Sequence, residues 1–157
     1  EHNKILTEPG AVCDVLREAV QSFAGAAAAK NIVIVQECSG DLCAPINARL
    51  LGLAIGNLVD NAIKYSENGT RVTVAASKLE EVVEISVSDQ GLGIEKKHLD
   101  RIFERFYRID AARSRGLGGT GLGLSIVKHT ALAHRGSVSV ESAPGRGSSF
   151  KIRIPLR

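Results

Sequence analysis

Two asparagines and a lysine stand at helical spacing near the middle of the chain. Asn57 and Asn61 are four residues apart and Lys64 follows three residues later, so on a helix they project from one side. An asparagine carbonyl oxygen is a neutral, hard ligand for Mg²⁺ that is already bound to phosphates, and a lysine ammonium can neutralise phosphate charge. The alternative is that these side chains only hydrogen-bond to neighbouring loops.

Glycine is concentrated just before a predicted helix. Five glycines fall within the eight residues from Gly116 to Gly123. Glycine lets backbone N–H groups approach a ligand closely, and a glycine-rich loop that opens a helix favours an anion such as phosphate. The alternative is a flexible surface loop. The GxxxxGK[ST] phosphate motif is absent, and Gly91-Leu92-Gly93 lacks the third glycine of the dinucleotide motif.

A carboxylate ends one of the apolar strand segments. Asp89 follows residues 82–88 and precedes Gly91 and Gly93. A carboxylate at the end of a strand can accept a hydrogen bond from an exocyclic amine. The alternative is an ordinary Asp–Gly turn.

Arginines crowd the segment that follows Asp100, and two phenylalanines lie among them. Phe103 and Phe106 are three residues apart, so we expect both rings to pack this segment against the core. The segment faces either phosphate or solvent. It is small, and the formal charge of the chain is only +3, so nucleic acid is not an expected partner. The arginines are Arg101, Arg105, Arg108, Arg113 and Arg115.

The composition is that of one soluble domain with an aliphatic core. The chain has 157 residues, of which 44% are hydrophobic, 24% charged and 4% aromatic. It contains no apolar run of about 18 residues and no secretory signal. Cys13, Cys38 and Cys43 are odd in number and lack CxxC spacing, so we expect reduced, mostly buried thiols without a disulfide or a zinc site.

Hydrophobic periodicity predicts an α+β fold, with one mixed, mainly antiparallel sheet and helices on one face as a two-layer sandwich. The helix over residues 47–65 has its own apolar stripe, which should face the core. The predicted helices are 12–29, 47–65, 98–104 and 121–134, and the predicted strands are 32–36, 71–77, 82–88, 137–142 and 148–154.

Taken together and in this order, the motifs resemble the catalytic and ATP-binding domain of sensor histidine kinases, within the GHKL ATPase superfamily. The resemblance covers about residues 12–155. The five family boxes correspond to residues 57–66 (N box), 89–94 (first glycine box), 103–108 (F box), 119–124 (second glycine box) and 145–150 (third glycine box).

The resemblance implies a Bergerat-type ATP-binding fold with ATP and Mg²⁺ as cofactors. Asn61 is expected to hold Mg²⁺, and Asn57, Lys64 and Arg108 to act at the phosphates as the catalytic residues. Asp89 is expected to accept from the adenine amino group, and the two phenylalanines to anchor a lid over residues 105–119. The other implied ATP contacts are Tyr65, Gly91, Gly93, Ile94, Phe103, Phe106, Gly119, Thr120, Gly121, Leu122, Gly123, Leu124 and Ser148.

The phosphoacceptor of the family is not found in this sequence. No histidine here is followed by Glu or Asp and then, a few residues on, by proline; the four are His2, His98, His129 and His134. The resemblance therefore implies transfer of the γ-phosphoryl group to a histidine on a separate dimerisation and phosphoacceptor domain of the same kinase, and from there to a cognate response regulator in two-component signalling.

The same resemblance sets the expected organisation. Residues 1–8 are expected to be a remnant of an upstream linker, and residues 9–157 the catalytic domain, monomeric when isolated. Family habit implies a cytoplasmic domain of a parent protein that is anchored in the bacterial membrane.

Two other functions remain open. ATPases of the chaperone, gyrase and mismatch-repair type place a glutamate where Asn57 stands, because attack by water needs a base; the sequence disfavours this function. The third possibility is a nucleotide-binding module without catalysis.

Overall fold

A computed structural model describes residues 5–109 and 123–157, and its main feature is a sheet of five strands with helices on one face. The strands are β1 (Glu8–Ala11), β2 (Val33–Cys38), β3 (Cys43–Ile46), β4 (Arg71–Leu79), β5 (Val82–Asp89), β6 (Ser137–Ser142) and β7 (Ser148–Pro155). The helices are α1 (Val12–Ser22), α2 (Ala24–Ala29), α3 (Ala48–Lys64), α4 (Lys96–Leu99) and α5 (Gly123–Ala133).

The five strands run in the order β2-β4-β5-β7-β6. β2 pairs parallel with β4, and the other three pairs are antiparallel. Alternate residues of β4, β5 and β7 are apolar, so one face of the sheet is buried under the helices. The buried residues of this face are Val72, Val74, Ala76, Val83, Ile85, Val87, Phe150, Ile152 and Ile154. The predicted α+β architecture with helices on one face is confirmed.

Helix α3 lies at the centre of the helical layer and carries the asparagine pair. Asn47 caps it, because its side-chain oxygen accepts a hydrogen bond of 3.1 Å from the N–H of Leu50. No described helix, α3 with its 17 residues included, is long and apolar enough to cross a membrane. The predicted core stripe of α3 is buried and consists of Leu51, Ile55, Leu58 and Ala62.

The helix predicted over residues 12–29 is in fact two helices that meet at Phe23. The Phe23 N–H donates to the carbonyl of Val20, three residues back, at 3.0 Å. The Phe23 ring lies against Gly56 of α3, where a Cβ atom would be 3.2 Å from the ring. The apolar spacing continues through Phe23, so the sequence pattern does not indicate the break between the two helices.

A second, two-stranded sheet was missed by the prediction of a single sheet. In it β1 pairs antiparallel with β3, and Pro9 lies opposite Pro45. Each strand has only four residues and each contains proline, a composition that is typical of turns. The helix predicted over residues 98–104 is also shorter, because α4 ends at Leu99 and turns follow.

The expectation of three reduced, mostly buried thiols was wrong. Cys13 and Cys38 form a disulfide with a Cα–Cα distance of 5.8 Å, and the thiol of Cys43 is exposed. Cys13 lies in the first turn of α1 and Cys38 ends β2, which packs beside that helix. The two cysteines are 25 residues apart, so a rule based on short spacings could not pair them.

Candidate functional site

The polar stripe of α3 lies where the sequence predicts, beside the buried stripe. Asn57, Asn61 and Lys64 are half-buried. The Lys64 ammonium lies 2.9 Å from the carboxylate of Asp60, and the two side chains are 30% and 31% exposed. A phosphate would therefore compete with Asp60 for Lys64. Sequence analysis did not include this carboxylate.

Lys30 forms hydrogen bonds with the C-terminal end of α3, next to the polar stripe. Its ammonium donates to the carbonyl oxygens of Ile63 at 2.7 Å and Ser66 at 2.6 Å. The last carbonyls of a helix have no partner within the helix, and a cation there is favoured by the helix dipole. Sequence analysis missed Lys30, because its partner Ile63 is 33 residues away and no motif joins them.

The loop formed by the first glycine box (residues 89–94), called the first glycine loop below, lies directly against the C-terminal end of α3. A Cβ atom on Gly91 would be 2.5 Å from the carbonyl oxygen of Tyr65 and 2.9 Å from Oδ1 of Asp89. Real Cβ atoms do not come this close to backbone oxygen, so the approach requires glycine. Three predicted site residues are thereby brought together.

Asp89 is held by backbone N–H groups through one of its two oxygens. Oδ1 accepts from the N–H of Gly91 at 2.9 Å and from that of Ser148 at 3.2 Å. Burial raises the pKa of the Asp89 carboxyl above its ordinary value, and the two backbone N–H groups oppose that shift. No hydrogen bond from the described part of the chain reaches Oδ2, which is therefore available to accept from a ligand.

The turn between β6 and β7 packs against the first glycine loop. A Cβ atom on Gly93 would be 1.9 Å from the carbonyl oxygen of Ala143, and one on Gly147 would be 2.1 Å from that of Asp89. Both glycines have positive φ angles, +77° and +73°. Residues of two family boxes thus build one structure around Asp89.

Ser142 connects two predicted site residues in this structure. Its Oγ accepts from the N–H of Ile94 at 2.8 Å and lies 2.8 Å from Oγ of Ser148. Ile94 and Ser148 are both buried. Sequence analysis did not select Ser142, since a serine that ends a strand before a Pro–Gly turn is unremarkable.

The two phenylalanines of the F box differ in burial. The Phe103 ring meets that of Phe150 edge-on, with centroids 6.1 Å apart. Phe106 is 63% exposed and has a φ angle of +64°, so the prediction that both rings pack against the core was wrong for Phe106. The helix ends at Leu99, and beyond it a spacing of three residues no longer places two side chains on one side.

In the arginine-rich segment after Asp100, some side chains contact one another. Arg101 forms an ion pair of 3.2 Å with Glu104, and its guanidinium lies 4.8 Å from the centroid of the Tyr107 ring. Arg108 is half-buried. Arg113 and Arg115 lie outside the described residues.

Helix α5 begins beside Asn57, in the polar stripe of α3. A Cβ atom on Gly123, its first residue, would be 3.9 Å from Cβ and Cγ of Asn57. Leu124 packs against the core. The predicted contacts Gly119, Thr120, Gly121 and Leu122 lie outside the described residues.

These contacts give the site two chemically different ends. Gly91 and Asp89 adjoin Tyr65 at one end of the polar stripe, and Gly123 adjoins Asn57 at the other. At a rise of 1.5 Å per residue, the two ends are about 12 Å apart along α3. One end offers a hydrogen-bond acceptor and adjoins Lys64, the other offers the amide group of Asn57 and the start of a helix, and Asn61 lies between them. The arrangement suits an elongated ligand with an amine at one end and negative charge at the other.

Two of the three described histidines have structural partners. His134 is buried, accepts from the N–H of Asn47 at 2.9 Å and bonds the carbonyl oxygen of Thr130 at 2.8 Å. His98 bonds the hydroxyl of Tyr107. His129 is exposed on α5, and His2 lies outside the described residues.

Known proteins resemble this chain in sequence. The model of the family described as histidine kinase-, DNA gyrase B-, and HSP90-like ATPase matches residues 46–157. The sensor-like histidine kinase SenX3 of Mycolicibacterium smegmatis is 47% identical over 150 residues, a match that covers 92% of this chain and 38% of SenX3. The chain therefore spans well under half of that relative's length.

Solved structures share the fold over almost the whole chain. The mycobacterial sensor histidine kinase MprB superposes with a TM-score of 0.84 at 29% identity, covering 96% of this chain and 98% of that one. Full-length ShkA, solved in complex with AMPPNP, gives a TM-score of 0.85 at 28% identity, covering 99% of this chain and 32% of ShkA. The Bergerat-type fold implied by the sequence is confirmed.

The family model begins at residue 46 and runs to the end of the chain. It includes α3, the loops of the first and third glycine boxes (residues 89–94 and 145–150) and α5, which are the elements that build the site. The chain therefore belongs to the histidine kinase-, DNA gyrase B-, and HSP90-like ATPase family, and within it to the catalytic domains of sensor histidine kinases.

Proposed function

We propose that this domain binds Mg-ATP along α3 and transfers its γ-phosphoryl group to a histidine on a separate dimerisation and phosphoacceptor domain of the same kinase. A cognate response regulator then receives the phosphoryl group. The domain works on the cytoplasmic side of a membrane-anchored parent protein and is a monomer when isolated.

The observation that carries this proposal is the pair of contacts at the two ends of the polar stripe. Gly91 brings Asp89 to Tyr65, and Gly123 brings the start of α5 to Asn57. Adenine would lie at Asp89, with its amino group donating to Oδ2, and the glycines would leave room for the ring. The related ShkA was solved in complex with AMPPNP, which supports the binding of an ATP-like nucleotide by this fold.

The phosphates would lie along the polar stripe, from Lys64 past Asn61 to Asn57. Tyr65 would adjoin the ribose or the phosphates, Arg108 would approach the γ-phosphate, and the N–H groups of the second glycine box would cover the chain of phosphates. Phe103 would anchor the lid through its contact with Phe150. The remaining proposed contacts are Gly93, Ile94, Phe106, Gly119, Thr120, Gly121, Leu122, Gly123, Leu124 and Ser148.

The donor set fits a magnesium ion. Asn57 and Asn61 present half-buried amide groups on one side of α3, and Asp60 adds a carboxylate nearby. Oxygen donors of this kind, few in number and next to phosphate, are the ligands that Mg²⁺ prefers. Asn61 would hold the ion, which neutralises phosphate charge when it is bound.

Transfer to a partner domain is favoured over hydrolysis by the residue at position 57. An amide cannot take a proton from water, so Asn57 provides no general base. Phosphoryl transfer depends mainly on positioning and charge neutralisation, and both can be supplied by α3 and the glycine loops.

The test is a transfer assay with γ-labelled ATP, Mg²⁺ and the acceptor domain of the full-length kinase. We expect label on the acceptor histidine, and only slow release of inorganic phosphate when the acceptor is omitted. Fast hydrolysis without the acceptor would indicate an ATPase of the gyrase or chaperone type. Tight binding of ATP without transfer or hydrolysis would indicate a binding module.

A further inference from the structure

On the helix side of the sheet, the last row is polar where it crosses β5, β7 and β6, although it continues to the buried Val72 of β4. Asp89 pairs with Ser148, and Ser148 pairs with Ser142. In the next row on the same side the equivalent positions are Val87, Phe150 and Val140. Three polar residues at the end of an otherwise apolar face break the pattern that builds the core, and such breaks are typical of functional positions.

The hydroxyl of Ser142 has three partners, each at 2.8 Å. They are the N–H of Ile94, the carbonyl oxygen of Gly147 and Oγ of Ser148. A serine hydroxyl has one proton to donate and two lone pairs with which to accept. All three bonds can therefore form together only when Ser142 donates its one proton and accepts through both lone pairs.

The positions of the protons follow from this count. Ile94 can only donate and Gly147 O can only accept, so the single proton of Ser142 goes to Gly147 O. Ser148 must then donate its own proton to Ser142. The Oγ atom of Ser148 keeps only lone pairs for any further partner.

The base end of the site thus consists of acceptors. Asp89 has Oδ1 occupied by two backbone N–H groups and Oδ2 available, and Ser148 beside it is an acceptor only. We infer that Ser142 is a positioning residue for nucleotide specificity: it holds the Ser148 proton so that Ser148 and Asp89 together accept from the two protons of the adenine amino group. This inference rests on the proposed binding of ATP.

Without Ser142, the Ser148 hydroxyl could turn. Its proton could point toward the carboxylate of Asp89, where it competes with the amine for that acceptor, or toward the ligand, where it opposes an amine that also donates. The loss should therefore fall on the amino group of the base and not on the ribose or phosphates.

The test compares ATP with purine riboside triphosphate, which lacks only the 6-amino group. In the wild-type chain we expect ATP to bind more tightly. In Ser142→Ala the preference for ATP should fall by about threefold to tenfold, the range for one neutral hydrogen bond. In Ser142→Thr, which keeps the hydroxyl, the preference should stay at the wild-type value. Calorimetric titration with Mg²⁺ present gives each Kd.

Equal weakening of both nucleotides in Ser142→Ala would overturn the inference, because a merely structural role lowers both affinities alike. The Ile94 N–H loses its partner in that variant, so circular dichroism must show that it folds. If it does not fold, Ser142→Cys, which replaces the hydroxyl by a weaker hydrogen-bonding group, takes its place with the same expected direction. Failure of the wild-type chain to bind ATP would contradict the proposed function itself, whereas tight binding with an unchanged preference would contradict only the role of Ser142.

Discussion

Gly91 lies so close to Tyr65 that a Cβ atom on residue 91 would be 2.5 Å from the Tyr65 carbonyl oxygen. The contact joins the loop after β5 to the end of α3, and it fixes the distance between Asp89 and the polar stripe. The site therefore depends on a backbone contact as much as on the side chains that would touch the ligand.

Replacing Gly91 by alanine should separate these two elements. The added methyl group meets backbone that cannot move freely, so the free energy of unfolding should fall by about 1–3 kcal/mol. The Kd for ATP should rise by about tenfold, since a shift of Asp89 costs one good contact. Urea denaturation and calorimetry measure the two effects. Gly40→Ala is the control, because nothing lies within 4 Å of a Cβ atom there; similar losses in both variants would contradict the explanation.

Lys30→Met should weaken the end of α3. It removes the ammonium that bonds the carbonyl oxygens of Ile63 and Ser66 but keeps most of the side-chain volume. The free energy of unfolding should fall by about 1–2 kcal/mol. The matched control is Lys78→Met on an exposed lysine of β4. If the control loses as much stability, the bonds from Lys30 are not the cause.

Asp89→Asn should stabilise the free protein while it weakens binding of ATP. Burial raises the pKa of Asp89 in the folded state, so the folded protein binds its proton more readily than the unfolded chain does. Stability is therefore lost as pH rises from the ordinary carboxyl pKa through the folded pKa. Asp89→Asn has no carboxyl group to ionise, so it does not lose stability in this pH range. It should be more stable than wild type at neutral pH, and the difference should disappear below the ordinary pKa.

Denaturation curves at several pH values check this prediction, with Asp100→Asn, on an exposed carboxyl, as the control. A variant that is less stable than wild type at neutral pH would show that the hydrogen bonds of Asp89 outweigh its burial.

Reduction of the Cys13–Cys38 disulfide should lower the free energy of unfolding by about 2–4 kcal/mol, because the bond restricts the unfolded chain. Denaturation with and without reductant measures the change, and Cys43→Ser should leave it unaltered. Alkylation of the folded protein without reductant should modify Cys43 alone. Labelling of all three cysteines under those conditions would contradict the pairing.

Sequence predicts those parts of the molecule whose pattern repeats within one element. The buried stripe of α3 and the alternation in β4, β5 and β7 follow directly from hydrophobic spacing. The polar stripe with Asn57 and Asn61 follows from the same helical period. Asp89 could be selected because it ends an apolar strand and precedes glycines.

The residues that were missed act through partners far along the chain. Lys30 bonds Ile63 at a separation of 33 residues, Ser142 bonds Ile94 at 48, and Cys13 pairs with a cysteine 25 residues away. Such contacts are set by the sheet order and by helix packing, and no local pattern encodes them. The prediction that Phe106 packs against the core was wrong for a related reason, since its backbone leaves the helical region and the spacing rule no longer applies.

The most direct test of the central claim is the Kd of Mg-ATP, measured by calorimetry on one variant at the base end of the site and one at the proposed magnesium position on α3. Asp89→Asn at the base end and Asn61→Ala at the magnesium position should each weaken binding by at least about tenfold. Asp100→Asn and Asn68→Ala, on exposed residues of the same types, should bind as the wild-type chain does. Wild-type affinity in both Asp89→Asn and Asn61→Ala would contradict the placement of ATP along α3.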